Sequence, residues 1–468
     1  MSKAVSREDI IWGYLAQLLN MGAGLLLLPV ILRFMGSADV ALWFVFIALA
    51  GFAQLLEFGF QPTLARNAAY VYAGANEISA VSTPTVHATD PHVNGQLLSD
   101  LLATSRYIYR IIAALAAVVL LGAGSVYVYT LLTPAQNHFN AIAGWIAFAA
   151  GYLLNFYFGY FGAFLQGRGD VRQAAKVTVC SRGLLIVIGS VAVVAGFGLL
   201  GLGIASLLAS LTGRLLAKRY YETAEERARL SAYPVSRQSS ELMAILWANA
   251  KRLGVVHLGA FLIQRGNILV GTSYLGLAAA ASYSLTMTLM LALVNVGMVV
   301  CNVSMPYMSS LQIKGDIAKL RSTYAAALVS AVLLFLCGGI FLLVAGNVAL
   351  ASIGAKTQLL PKAALAAMLF IFLLELHHSV AANYITTTNN IPFVKAAIVS
   401  GSSILIASLW FVTEYGVWAL IVSQGLVQAA YNNWKWPVVV AQLLGSKPWE
   451  PMVLGIRTIG GKMYASFR

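Results

Sequence analysis

The sequence is poor in charge, and poorest in acid. Of its 468 residues 10% are Asp, Glu, Lys or Arg, and only 16 are acidic. A soluble domain carries about 25% charged residues, so this chain lacks the charge needed to cover a water-facing surface. That excludes a soluble globular enzyme, a disordered chain and a secreted disulfide scaffold. Cysteine is nearly absent as well. Cys180, Cys301 and Cys337 all fall in apolar runs, where a thiol is a small packing group, and they give no disulfide or metal signal. No Walker A motif is present, which argues against direct drive by ATP. No cleavable signal is visible, because the run at 10–33 is too long for a signal core and lacks a small-residue cleavage site.

What the sequence has instead is long apolar stretches. Hydrophobic residues make up 60% of the chain, and a membrane crossing takes about 20 of them. Apolar runs lie near 10–33, 38–60, 105–131, 141–165, 177–197 and 199–217. A second series lies near 243–272, 278–306, 323–345, 362–387, 395–413 and 416–434. The expectation is an all-α polytopic membrane protein of about twelve helices. It divides into a six-helix lobe (1–217), a linker (218–242), a second six-helix lobe (243–434) and an interfacial or cytoplasmic tail (435–468).

The few charges are unbalanced, 30 basic against 16 acidic, for a formal net charge of +14. On the twelve-span map about 23 of the basic residues fall on one side, and only Arg33, Lys356 and Lys362 on the other. Such a bias marks the cytoplasmic face, so both termini are expected there. The excess accordingly gives no argument for nucleic acid. The loops are short, and none is large enough for a catalytic domain. His87, Asp90 and His92 have a metal-like spacing, but Pro84 and Pro91 flank them in a polar loop, which reads as solvated chain.

The halves repeat each other. Phe34-Met35-Gly36-x-Ala38-x-x-Ala41-x-Trp43 returns 240 residues later as Tyr274-Leu275-Gly276-x-Ala278-x-x-Ala281-x-Tyr283. A second echo sets Gly167-Arg168-Gly169-Asp170 against Asn389-Asn390-Ile391-Pro392. Six spans per half is an even number, so the halves share one orientation and a pseudo-two-fold along the membrane normal, the layout of transporters that rock two bundles about a central site.

Polar groups inside apolar runs are the candidate site. Glu375 lies near the middle of the tenth run, at a depth where an ionised group costs about 3 kcal/mol. His378 follows three residues later on the same helical face, so the two form either an ion-coupling pair suited to proton exchange or a structural one. Glu57 lies near the inner end of the second run, placed to pair with Arg66 or to reach interfacial water. The seventh run carries Lys251, Arg252 and Arg265. Lys251 and Arg265 are 14 residues apart, close to four turns, and so share a face about 21 Å apart along the axis. Snorkelling accounts for Lys251 and Arg252, but less well for Arg265. It also accounts for Arg182 and Arg214 near inner ends. Guanidinium groups in a cavity suit an anionic substrate. Gln17 and Asn20, Asn295 and Asn302, and Gln424 and Gln428 add polar faces, with interhelical hydrogen bonding as their default role.

Several stretches resemble a known group. These are Gly22-Ala23-Gly24, Leu28-Pro29, Phe34-Met35-Gly36, Leu56-Glu57-Phe58-Gly59 and Thr63-Leu64-Ala65-Arg66, then Tyr384-x-x-Thr387-Thr388-Asn389-Asn390-Ile391 and Tyr431-Asn432-Asn433-Trp434-x-Trp436-Pro437. Over nearly its whole length the chain resembles the Wzx-type lipid-linked oligosaccharide flippases of the MOP exporter superfamily, which includes the MATE transporters. The resemblance implies two six-helix lobes in a bacterial inner membrane and no enzymatic activity. It implies an undecaprenyl-pyrophosphate-linked glycan as substrate, flipped between leaflets by alternating access. A proton or sodium gradient would be the driving force, without a bound cofactor. Membrane lipid, a polysaccharide polymerase and other assembly proteins are the partners it suggests. Arg265, Lys251, Arg252, Arg66, Asn20 and Gln17 would then contact substrate, and Glu375, His378 and Glu57 the coupling ion. The rivals are a drug or cation antiporter of the same superfamily, which should hold more acid than base in its cavity, and a peptidoglycan-precursor flippase of the MurJ type, which would carry about two more spans.

Overall fold

The computed structural model describes residues 7–78, 93–134, 136–236, 239–386 and 392–466, and among them every regular element is helical. Lipid offers no partner to a bare backbone amide or carbonyl, so an apolar chain of this composition satisfies them within helices. The first half holds α1 (Arg7–Phe34), α2 (Ser37–Gln54), α3 (Phe60–Tyr72), α4 (Gly95–Thr130), α5 (His138–Tyr157), α6 (Tyr160–Gly167), α7 (Val171–Val194), α8 (Gly198–Tyr221) and α9 (Ala224–Ala232). Then come α10 (Ser239–Phe261), α11 (Asn267–Leu275), α12 (Leu277–Ile313), α13 (Ile317–Ser352), α14 (Lys362–Thr386), α15 (Val394–Tyr415), α16 (Val417–Ala430), α17 (Asn432–Leu443) and α18 (Glu450–Ser466).

Among the described residues nine helices are long and apolar enough to cross a membrane, and a tenth is added if the bent halves of α1 count as one span. Two expected spans fall short, each for a physical reason. The run near 243–272 is interrupted by a π turn over Leu262–Gly266 and carries Lys251, Arg252, His257 and Arg265. The run near 416–434 breaks at Tyr431, leaving α16 with 14 residues, or about 21 Å at 1.5 Å per residue. Two helices occupy ground expected to be loop. α3 lies within 61–104, and α4 starts at Gly95, where the Asn94 side chain accepts from the Leu97 amide at 3.0 Å. The segment with His87, Asp90 and His92, and the echo at Asn389 to Ile391, lie outside the described residues.

The chain forms two compact units, Met1–Leu258 and Gly259–Arg468. In the first, α5 and α8 run in backbone contact, and a Cβ at Gly203 would meet the Gly144 carbonyl at 2.1 Å. Small residues permit this closeness, which gives lipid-embedded helices their packing energy. Trp43, Phe46, Trp145 and Phe148 form the aromatic core beside this pair. In the second unit α13 packs on α12 and on α18. The sequence echo has a structural counterpart. Gly36 and Gly276 stand at the starts of α2 and α12, and Ala41, Trp43, Ala281 and Tyr283 are all buried.

The stretch after α8 is clamped to the first unit by two buried acids. Glu226 of α9 accepts from the Tyr72 hydroxyl at 2.6 Å and pairs with Arg229 at 3.0 Å and Arg168 at 3.6 Å. Burial, with the Tyr221 and Glu226 groups beside it, holds the Tyr72 phenol well above the ordinary tyrosine value, so it remains a donor. Asp100 accepts from the Ser236 amide at 2.6 Å and the Ser236 hydroxyl at 2.7 Å.

Candidate functional site

In the first unit the site begins at a break in the chain. A tight turn over Leu55–Glu57 ends α2, and both Phe58 (φ 47°) and Gly59 (φ 73°) then adopt left-handed backbone before α3 starts. That conformation is uncommon for a residue with a side chain, and it persists where surrounding packing enforces it. Here the Phe58 ring packs edge-on against Trp247 at 5.5 Å, and Phe60 lies 5.9 Å from the same indole. The break turns the Glu57 carboxylate inward. It accepts from the Tyr109 hydroxyl at 2.7 Å and from the Gln54 amide.

Two guanidinium groups complete this cluster. Arg214 of α8 donates to Asn155 Oδ1 at 2.9 Å, and Asn155 donates to the Ser210 hydroxyl at 2.9 Å. Arg214 feels the charges of both Glu57 and Arg182. Arg182 of α7 donates to Asn20 Oδ1 of α1 at 3.0 Å. Glu57 therefore answers to Arg214 and Tyr109 rather than to Arg66, which lies exposed on α3. The snorkelling expected of Arg182 and Arg214 gives way to fixed partners on α1 and α5. Reaching for water has no advantage for a guanidinium that finds amide acceptors nearby. Of the expected substrate contacts, Asn20 joins this cluster, and Gln17 is exposed on α1.

In the second unit Glu375 of α14 is buried and accepts from the Gln424 amide of α16 at 3.0 Å. Beside it, Tyr283 of α12 lies within electrostatic range of the carboxyl. The Tyr283 hydroxyl and the Asn267 side chain interact with each other, but among the described residues no hydrogen bond of ordinary geometry reaches Tyr283 Oη or Asn267 Oδ1, while the Asn267 amide donates to the Leu420 carbonyl at 3.1 Å. The expected pairing of Glu375 with His378 does not form. The His378 ring meets Asn433 Oδ1 at 2.8 Å instead. A three-residue spacing brings two side chains to one face but not to one another, and here α16 and α17 each supply a nearer partner. Gln428 accepts from Asn432, which also donates to Ser400 and accepts from Trp436.

Arg265 sits in the π turn that joins α10 to α11 and is half-buried. Such turns recur at functional positions because they push one residue out of the regular ladder. The same turn interrupts the winding on which a shared face with Lys251 depends. Lys251 and Arg252 lie on α10.

Sequence reasoning took Arg214 and Arg182 for snorkelling side chains and missed Tyr109 and Asn155 in one unit, and Tyr283, Asn267 and Asn433 in the other. Two signals were available. Arg214 lies about two turns inside the end of α8, deeper than the last-turn residues Lys218 and Arg219. Asn155, in an otherwise apolar run, was the second clue. Among the described residues no group of acids, histidines and cysteines has the arrangement of a metal site.

No protein-family model matches the sequence, and no curated protein matches it. Solved structures do. A multidrug-resistance MATE family transporter of the MOP superfamily, in an inward-facing conformation, aligns with a TM-score of 0.65 at 14% identity, covering 98% of each chain. The MATE multidrug transporter DinF-BH aligns with a TM-score of 0.60 at 13% identity over 95% of this chain and 97% of its own. A MOP-superfamily transporter from Pyrococcus furiosus, described by the reverse polarity of its binding pocket, aligns with a TM-score of 0.54 at 16% identity over 95% and 96%. The chain is a multi-pass helical membrane protein with the fold of the MOP-superfamily transporters.

Proposed function

We propose that this protein is a gradient-driven flippase for undecaprenyl-pyrophosphate-linked oligosaccharide, working by alternating access in a bacterial inner membrane with both termini cytoplasmic. The observation that carries the reading is the charge of the first unit's interior. Arg214 lies in the field of both Arg182 and the Glu57 carboxylate, and Arg182 is held by a neutral amide, Asn20. Excess positive charge at membrane depth is costly, and it is tolerated where an anionic guest completes it. A pyrophosphate is such a guest, because guanidinium presents paired donors to its oxygens. Asn20 and Asn155 hold the two groups in place without cancelling their charge. Pocket polarity varies within this fold, since the P. furiosus protein is described by a reversed one that suggests a different function for it.

Glu375 supplies the coupling in this reading. Among the described residues its one hydrogen-bond donor is a neutral amide, so the carboxyl is open to a proton or a sodium ion as the protein cycles. Arg265, half-buried in the π turn, is a further guanidinium that would serve an anionic substrate. The test is complementation of a strain lacking its own lipid-linked oligosaccharide flippase. The wild-type chain restores surface glycan, whereas Arg214→Gln and Glu375→Gln do not despite equal membrane levels. Restoration by both variants would remove the assignment.

The second reading is a cation or drug antiporter, and the buried, singly bonded Glu375 is the feature that favours it. Transport of an organic cation unaffected by Arg182→Gln would decide for that alternative.

A further inference from the structure

The Arg321 side chain on the first turns of α13 reaches across to the end of α17. Its Nε donates to the Leu444 carbonyl and its Nη2 to the Gly445 carbonyl at 2.7 Å. Gly445 has a left-handed backbone (φ 59°), and a Cβ there would meet Arg321 Nη2 at 2.7 Å. The clasp fixes the guanidinium and leaves its Nη1 without a protein partner among the described residues. Between this clasp and α18 lies a cavity of about 320 Å³, lined by Arg321, Ser446, Trp449, Glu450, Leu454 and Arg457. Arg457 is exposed and, among the described residues, has no ion-pair or hydrogen-bond partner. The one acid, Glu450, accepts from the Lys447 amide at 3.0 Å. Lys447 itself stacks over the Trp449 ring at 5.6 Å.

Position decides what such a cavity meets. α13 is long and apolar enough to span the membrane, and Arg321 lies about one turn inside its first residue, so the clasp belongs to the end of a spanning helix, where a membrane surface would lie. Trp449 is 62% exposed, as an interfacial anchor is. Val453, which also lines the cavity, and Ile456 are exposed on α18 as well, an apolar strip that a soluble anion does not need. A volume near the lower bound of small-molecule sites, about 300 Å³, admits a headgroup and excludes the acyl chains. We infer that this cavity is a binding site for an anionic phospholipid, its phosphate held between Arg321 and Arg457 and its chains laid along Val453 and Ile456. The site lies wholly in the second unit, apart from the Arg182–Arg214 cluster, and does not depend on the transported substrate.

The experiment is native mass spectrometry of the full-length protein, given phosphatidylglycerol, phosphatidylcholine or glycerol phosphate. Preferential retention of phosphatidylglycerol is expected, falling about five-fold in Arg457→Gln, the factor one basic side chain contributes at an anionic surface. Arg227→Gln, which removes an equally exposed charge on α9, should leave retention unchanged. Because Arg457 is exposed and makes no hydrogen bond or ion pair among the described residues, its variant should fold as the wild type does. No preference over phosphatidylcholine, equal losses in the two variants, or displacement of the lipid by glycerol phosphate would each overturn the site.

Discussion

The two units treat buried acid differently. The first buries Glu57, Asp100 and Glu226, and the second, among the described residues, only Glu375. Each acid of the first unit has several donors. Glu226 has two arginines and a phenol, Asp100 a backbone amide and a hydroxyl, and Glu57 a phenol, an amide and the field of Arg214. Glu375 has one neutral amide. The contrast separates charge that holds a structure from charge free to change its state. A carboxylate locked by ion pairs gains little by exchanging a proton, whereas a singly bonded one can do so without dismantling its surroundings.

The largest expected effect breaks the first unit. Glu57→Leu strips the Tyr109 hydroxyl and the Gln54 amide of their acceptor, removes the carboxylate in whose field the half-buried Arg214 lies, and should cost about 3 kcal/mol. Thermal unfolding in detergent measures it. If Glu375→Leu is equally destabilising, the proposed difference between the units is wrong. Next in size is the clamp. Glu226→Ala removes a charge-assisted bond and should cost about 2 kcal/mol, read as faster trypsin cleavage after Arg227 and Arg229. Cleavage at the wild-type rate would mean that the clamp does not protect this segment.

Smaller again is Glu375→Gln, which keeps the shape and a hydrogen bond to Gln424. Its stability should stay within about 1 kcal/mol of wild type, while gradient-driven transport is lost. A stable variant with normal transport would remove coupling from Glu375. The smallest effect is expected of Arg66→Gln. Arg66 is exposed, and surface changes usually stay within about 0.5 kcal/mol. A marked loss of transport with unchanged stability would return Arg66 to the substrate path.

Long apolar runs made the helices legible, because a membrane span is a local property of about 20 residues. They failed where tertiary structure decides. α16 stops at Tyr431 and the α10–α11 segment winds through a π turn, and neither event has a composition signature. The site was half legible. A lone acid in an apolar run marks itself, so Glu57 and Glu375 were found. Their partners were not, because Tyr109 and Gln424 look like ordinary helical residues until distant segments meet. Arg214 was dismissed because depth from a helix end cannot tell a snorkelling side chain from one anchored by Asn155. The Glu375–His378 pair failed for the converse reason, since spacing along one helix says nothing of what the next helix offers.

The most direct measurement uses the purified protein in liposomes under an imposed ion gradient, with an undecaprenyl-pyrophosphate-linked oligosaccharide and an organic cation offered in parallel. Flipping of the glycan lipid that depends on the gradient, is lost in Glu375→Gln and falls in Arg214→Gln is the expected result. Transport of the cation with no movement of the glycan lipid would contradict the proposed function.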